Sequence, residues 1–291
     1  MYRIDYYWHE TVADDRFRYA VIAARHAGQW LFVRQKTRDS YELPAGRRES
    51  GESIEGTARR ELYEETGAVR FALEAVCAFA VSPAGQDPDP EGDCGMLYLA
   101  EVFEREDIPI ESEIGEVRPG ARLPEPLHYP EIQPKLFALA EAWSGYRVRP
   151  ALPEDAAAIC RINSLGLGYD YPEDKTAGKL AVILAAGQDG LFVAEHRASS
   201  ELAGYIHLGP YECTYADSLK NILALAVLPE HQGKMVGRML LAEGERWARA
   251  AGASGVRLVS GSDRTGAHRF YAACGYRLRK DQKNFIKQWL Q

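Results

Sequence analysis

The sequence predicts an α/β (α+β) protein of two domains, and three observations carry that reading. Its 291 residues are more than one compact domain ordinarily holds. β-rich runs and amphipathic helix patterns are interleaved in both halves. Between them, a helix pattern over residues 131–143, with Leu136, Leu139 and Trp143 on one side, stops at Ser144-Gly145, and Tyr146-Arg147-Val148-Arg149-Pro150 then alternates like the first strand of a new unit. The domains are therefore expected at 1–143 and 146–291.

Composition narrows the function classes. A net charge of -7 argues against a nucleic-acid polymer as partner, because such binding depends on basic patches that neutralise phosphates. Small phosphorylated ligands stay compatible. No run approaches the roughly 18 apolar residues of a membrane span, and the N-terminus lacks the basic start and apolar run of a secretory signal. The cysteines at 77, 94, 160, 213 and 274 are odd in number and lack CxxC spacing, which predicts reduced thiols in a cytoplasmic protein. Oligomeric state is not legible.

In the first half, residues 18–25 and 29–35 flank Ala27-Gly28 and read as a hairpin. Residues 41–44 read as a short strand leading into Gly46. Residues 54–66 read as a helix, with Ile54, Ala58 and Leu62 as an apolar stripe, Ser53 as N-cap and Gly67 as a left-handed C-cap. At 100° per residue, Glu64 and Glu65 fall on either side of Glu61, which predicts one acidic face away from the stripe. Like charges at this spacing repel unless a cation lies between them. Hard carboxylate oxygens suit Mg2+ or Mn2+, and Arg60 can pin Glu52 or a neighbouring glutamate by a bidentate ion pair. Further on, residues 75–81 and 96–103 read as strands separated by PAGQDPDPEGD, whose Pro, Gly and Asp content predicts a surface loop.

Gly46, Glu52, Arg60-Glu61-Leu62, Glu64-Glu65 and Gly67 stand at the spacing of the Nudix box, a coincidence expected about once in 10^8 windows at ordinary residue frequencies. A solvated helix with its glutamates offset by Arg59 and Arg60 would need neither flanking glycine. The first half thus resembles the Nudix hydrolases. The resemblance implies an α/β/α sandwich with a mixed sheet, and hydrolysis of a nucleoside diphosphate linked to another group. It also implies Glu61, Glu64 and Glu65 as ligands of Mg2+ or Mn2+, with Glu52, Arg60 and Glu64 in the catalytic machinery. The general base is either a box glutamate or one from ESEIGE (Glu111, Glu113, Glu116), of which Glu116 is taken here. Pro83, sixteen residues after Gly67, and LPAG resemble ADP-ribose pyrophosphatases; YRIDYYWHET, YELPAG and HYPEIQPKLF look more like members acting on 8-oxo-dGTP or other (d)NTPs. Ala45 and Ala68 depart from the usual Gly and larger aliphatic. The arginine-rich signature of coenzyme A pyrophosphatases is not visible.

In the second half, residues 221–252 read as an apolar strand, a loop and a helix with Val236, Leu240, Trp247 and Ala251 on one stripe. Backbone amides of Gln232, Gly233, Lys234, Met235, Val236, Gly237 and Arg238 would sit at the positive end of that helix, where a pyrophosphate fits. YRVRPALPEDAAAI, LFVAEH, ELAGYIHL, QGKMVG and RFYAACGYR follow in order, and residues 146–291 resemble the GNAT acetyltransferases. The resemblance implies acetyl-CoA as co-substrate, lying against Leu225-Ala226-Val227 with its pyrophosphate on the 232–238 loop. It also implies Tyr271 as proton donor to the departing thiolate, acting on an amine substrate. Met235 stands where the family usually has glycine, and Tyr271 can also be read as a core aromatic beside Phe270. No acidic residue lies in 223–228, leaving Glu212, Asp217 or water as candidate bases. His207 and His268 read as structural, and no histidine spacing points to zinc.

Three readings stay open: two active enzymes, an acetyltransferase with a ligand-sensing first half, or a hydrolase with a degenerate second half.

Overall fold

A computed structural model describes residues 2–7, 12–84, 93–283, 285–287 and 289. The strands of the first half are β1 (Tyr2–Tyr7), β2 (Phe17–His26), β3 (Gln29–Gln35), β4 (Ala45–Arg47), β5 (Ala68–Pro83), β6 (Cys94–Arg105) and β7 (Ile114–Gly120). They form one mixed sheet in the order β1-β5-β6-β2-β3-β7, with β4 beside β2, and β2 and β6 parallel. Helix α1 (Ile54–Thr66) buries Ile54, Ala58 and Leu62 among Ile22, Leu31 and Met96 on one face. On the other, α2 (Gln133–Ser144) sets Phe137 against Trp30 and Phe32, with ring centroids 5.2 and 5.7 Å apart. This is the expected α/β/α sandwich.

The hairpin forms where expected, through Ala27 (φ 49°) and Gly28 (φ 79°), the paired left-handed residues of a tight hairpin turn. The strand expected over 41–44 is displaced. Tyr41 and Glu42 make only isolated bridges, and the paired segment is β4. Pro44 has no N–H to donate, so it offers only its carbonyl, to Ile22 N at 2.7 Å. The strands at 75–81 and 96–103 extend in both directions as β5 and β6; residues 85–92 of the loop between them lie outside the described residues. At Gly95 on β6 a Cβ would lie 2.2 Å from the Tyr19 ring and 2.7 Å from that of Phe79. Gly95→Ala is expected to cost about 2 kcal/mol by overpacking, read as a lower urea midpoint.

The second sheet contains β8 (Tyr146–Pro150), β9 (Gly190–His196), β10 (Leu202–Cys213), β11 (Ala216–Val227) and β12 (Val256–Leu258), in the order β12-β11-β10-β9-β8. Helices α3 (Ala156–Ile162) and α4 (Glu173–Ala186), joined through a π-helical turn at Asn163–Leu167, bury Ile159, Ile162 and Leu180 with Val193, Tyr205 and Ala226. Helix α5 (Val236–Ala250) covers the opposite face. Its buried residues include Val236, Leu240, Gly244 and Ala248; the expected stripe held Val236 and Leu240 but erred at Ala251, which is exposed and lies beyond the last turn.

Arg149 joins β8 to the turn before α3, bonding Asp155 at 2.8 and 2.9 Å and Glu195 at 3.0 Å. Its guanidinium, aided by Arg147, holds the Glu195 carboxyl below its ordinary range. A carboxyl with a lowered pKa stabilises the fold above its unfolded value, and that contribution is lost as pH falls. Arg149→Leu is therefore expected to cost about 2 kcal/mol near neutral pH, because it strands buried Asp155, and less toward pH ~3, measured by urea unfolding at several pH values.

Residues 258–291 form a separate unit. Within it, α6 (Thr265–Ala273) carries Phe270 and Tyr271 with centroids 5.2 Å apart, and Tyr276 lies 5.6 Å from Tyr271. Among the described residues no helix is long and apolar enough to cross a membrane. None of the five cysteines is in a disulfide.

Candidate active sites

The first candidate site is built around α1. Ser53 Oγ accepts the Gly56 N–H at 3.0 Å, and Gly67 (φ 71°) closes the helix by donating to Tyr63 O at 2.8 Å. A side chain at 67 would also meet Glu106 O at 2.1 Å. Arg60 gathers the acids: Nε and Nη2 bond the two Glu52 oxygens at 3.0 and 3.1 Å, and Nη1 reaches Glu61 at 2.8 Å and Glu64 at 3.1 Å. Nη2 also donates to Arg47 O at 3.0 Å, tying the helix to β4. Glu52 accepts further bonds from Thr57 Oγ1 and Glu49 N. Gly46 has a steric reason to be glycine, since its Cβ would lie 1.7 Å from Glu61 Oε1.

The glutamates differ sharply in environment. The Arg60 guanidinium holds Glu52 down at about 2. Glu65 is buried, accepts Ala45 N–H at 2.8 Å, and has its pKa raised well above the ordinary value by burial, with the charges of Glu61, Glu42 and Glu113 adding to it. Burial also raises Glu61, against the opposing pull of Arg60, and Glu64 and Glu113 push it further. Glu64 is nearly half exposed. The expected single acidic face is thus split: Glu65 turns inward to β4 and Glu64 outward to Arg60. Among the described residues, no three acidic, histidine or cysteine side chains converge closely enough to hold an ion as they stand. The donor set nevertheless fits one. Glu42, Glu61, Glu65 and Glu113 concentrate negative charge on hard oxygens, the condition a small divalent cation relieves.

Glu116, the expected base, is placed elsewhere. On β7 it accepts bonds from Arg34 at 3.0 and 3.2 Å and Tyr41 Oη at 2.9 Å; the Tyr41 bond and then the Arg34 pair lower its pKa and weaken it as a base. Glu113, held by Gln35 Nε2 at 2.9 Å, is the acid of that loop whose charge acts on Glu61 and Glu65. Glu42 escaped sequence reasoning because the box spacing does not include it, and only the β3 bridge at Val33 brings it in.

The second candidate site lies where β11 meets α5. Leu225, Ala226 and Val227 pair with Ile206, Tyr205 and Gly204 of β10. On β11's other side, bonds to residues 254 and 255 fall at Ser218 and Lys220, near the strand's start. Gln232 Nε2 donates to Val227 O at 3.3 Å, anchoring the loop to the strand end. The Gln232 and Arg238 amides are taken by Pro229 O and Met235 O, so the expected row of donors shortens to Gly233, Lys234, Met235, Val236 and Gly237, whose N–H groups have no partner among the described residues. Gly233 (φ 75°) and Met235 (φ 67°) are both left-handed, and Met235 is the N-cap of α5. Such a row at a helix start offers donors to an anion. In the terminal unit, burial lifts the Tyr271 hydroxyl to about 12, which keeps it protonated.

Comparison with known proteins decides what the two halves are. Residues 16–138 match the NUDIX domain model, and residues 160–276 match that of the acetyltransferase (GNAT) family. The chain joins a NUDIX domain to a GNAT domain. An ADP-ribose pyrophosphatase of Bacillus subtilis is 42% identical over 72 residues, 23% of this chain and 39% of that protein. An aminoalkylphosphonate N-acetyltransferase of Salmonella typhimurium is 38% identical over 80 residues, 27% of this chain and 52% of that protein. The chain thus spans 39% and 52% of the lengths of these curated relatives. Solved structures similar to the chain include an aminoglycoside 6'-N-acetyltransferase of Acinetobacter baumannii, with TM-score 0.45 and 16% identity over 50% of this chain and 99% of that one. Another is a glucosamine-6-phosphate N-acetyltransferase of Arabidopsis thaliana, with TM-score 0.43 and 16% identity over 49% and 99%.

Both domains belong to enzyme families, a hydrolase and an acyltransferase. The NUDIX domain contains the Gly46–Arg60–glutamate assembly, and the GNAT domain contains β11, the amide row and Tyr271.

Proposed function

We propose that the chain is a bifunctional enzyme, with a NUDIX domain at 1–143 that hydrolyses a nucleoside diphosphate derivative and a GNAT domain at 146–291 that acetylates a small amine. The observation that carries the hydrolase reading is the gathering of Glu52, Glu61 and Glu64 on Arg60, with Glu61 against Gly46 and the charges of Glu42 and Glu113 acting on Glu65. ADP-ribose is the favoured substrate, on the Bacillus relative and the placement of Pro83, with 8-oxo-dGTP and other (d)NTPs as the second reading. Glu61, Glu64 and Glu65 would hold Mg2+ or Mn2+, which when bound neutralises phosphate charge and acidifies water. Arg60 keeps Glu52, Glu61 and Glu64 in register. Glu113 replaces Glu116 as the base that takes the proton of the attacking water as its oxygen bonds to phosphorus and the bridging P–O bond breaks.

For the GNAT domain, the free amides of Gly233–Gly237 support binding of the acetyl-CoA pyrophosphate, and Tyr271, protonated at neutral pH, fits a donor to the CoA thiolate. The Salmonella relative favours an aminoalkylphosphonate as acceptor. The five cysteines, none of them in a disulfide, support a reducing, cytoplasmic setting.

The acetyl-CoA half of the proposal is tested by calorimetry, where saturable heat supports it and no heat at millimolar ligand leaves a degenerate module. Met235→Gly relieves a left-handed side-chain cost of about 1–2 kcal/mol and returns about 0.5–1 kcal/mol to unfolded-chain entropy. It is expected to stabilise the fold by up to about 1 kcal/mol, seen as a higher melting temperature.

A further inference from the structure

β10 presents alternate side chains to opposite faces. Gly204, Ile206 and Leu208 look onto α5: a Cβ on Gly204 would lie 3.2 Å from Leu240, and one on Gly244 would lie 2.8 Å from Leu208 and 3.0 Å from Ile206. Tyr205, His207 and Gly209 therefore face the side of α3 and α4, where Tyr205 donates to Asn163 in the π-helical turn. Across the strand pair Tyr205 stands opposite Ala226 and His207 opposite Ala224, which places His207 one side-chain repeat, roughly 7 Å, from the strand end assigned to acetyl-CoA. The register slips beside His207, from Ala224 to Ile222, so that Leu223 bulges out and is 57% exposed. Bulges of this kind re-aim strands beside active sites.

His207 is not alone there. Its Nε2 is 2.8 Å from Asp189 Oδ2, on the segment between α4 and β9, and the two side chains are 14% and 20% exposed. A Cβ at Gly209 would lie 3.5 Å from the other Asp189 oxygen and 3.1 Å from Leu223, so glycine there leaves room for the carboxylate. With Asp189 accepting from Nε2–H, the lone pair sits on Nδ1, which bonds no described residue.

We propose that His207, oriented by Asp189, is the base that deprotonates the acceptor amine; this rests on the acetyl-transfer reading above. Nδ1 takes a proton from the ammonium form, and the freed nitrogen lone pair forms the C–N bond to the thioester carbonyl as the C–S bond breaks. Tyr271 gives its proton to the thiolate and recovers the second amine proton, and the imidazolium returns its own to solvent, giving the amide, free CoA thiol and one proton. His207 is the catalytic residue and Asp189 its positioning residue.

The test follows thiol release by the full chain with acetyl-CoA and a panel of primary amines headed by 2-aminoethylphosphonate, together with calorimetric acetyl-CoA affinity. His207→Gln is expected to lower kcat about 10²–10⁴-fold with acetyl-CoA affinity unchanged. Imidazole added to His207→Ala is expected to restore part of the rate. Asp189→Asn, which keeps the shape, is expected to lower kcat and displace the acid limb of the pH profile without changing KM for acetyl-CoA. A His207→Gln enzyme within threefold of wild-type kcat, with the same pH profile, overturns the assignment of His207 alone. Wild type that neither binds acetyl-CoA nor releases thiol overturns the acetyl-transfer reading along with it.

Discussion

Gly46→Ala is expected to abolish metal-dependent pyrophosphate hydrolysis while leaving a folded protein. The added methyl would stand 1.7 Å from Glu61 Oε1, 1.8 Å from its carboxyl carbon and 2.4 Å from its second oxygen, all well inside contact distance. Glu61 is held by Arg60 and largely buried, so its retreat disturbs the bonds from Arg60 to Glu52 and Glu64 as well. Displacing a carboxylate proposed to hold the metal is expected to cost at least the ~10²-fold typical of disturbing the groups that merely orient such ligands. The backbone at Gly46 does not require a positive φ, and its strand pairing with Ala20 is kept by alanine, so the melting temperature should move far less than the rate. Steady-state hydrolysis beside a thermal melt separates the two. Equal losses of both would mean that the glycine serves folding alone.

Arg60→Leu is expected to be the more damaging change for stability, costing about 2–3 kcal/mol near neutral pH. It removes one guanidinium from three carboxylates, of which Glu52 and Glu61 are 17% and 12% exposed, and unpaired charges of that burial are expensive. The pH dependence has a definite sign. Glu52 is held at about 2 against an ordinary 4.5, so the stabilisation that Arg60 provides is complete above about pH 4.5 and disappears as pH falls toward 2. Unfolding curves of wild type and Arg60→Leu should therefore converge in acid. Arg60→Lys keeps the charge but not the two-nitrogen fork on Glu52, and should recover part of the stability with little of the rate. Parallel curves from pH 7 to pH 3 would contradict this role.

The features legible in the sequence were those with a local cause. Ser53, the stripe Ile54-Ala58-Leu62 and Gly67 fix helix α1 through capping and periodicity, and each does what its spacing implied. The same holds for the Ala27-Gly28 turn. Features that needed the fold were not legible. Glu42 and Glu113 come near α1 only because β3 bridges to Glu42 on one side and pairs with β7 on the other, a non-local register that spacing does not encode. Glu116 looked equivalent to Glu113, but at the start of β7 each step reverses the side-chain face, and a register shift between Arg34 and Gln35 separates the two. In the GNAT domain, Asp189 and His207 are eighteen residues apart in sequence and meet only through antiparallel pairing of β9 and β10.

The central claim is that the box glutamates of the NUDIX domain perform metal-dependent pyrophosphate cleavage. Its most direct test is a nucleotide panel of ADP-ribose, 8-oxo-dGTP and the (d)NTPs, incubated with wild type and Glu64→Gln, each with Mg2+, Mn2+ or a chelator. The account predicts cleavage of at least one diphosphate by wild type only when the ion is present, a loss of ~10²-fold or more in Glu64→Gln, and unchanged acetyl-CoA binding in both proteins. Cleavage that persists at full rate in Glu64→Gln, or no cleavage of any panel member with either ion, would contradict it.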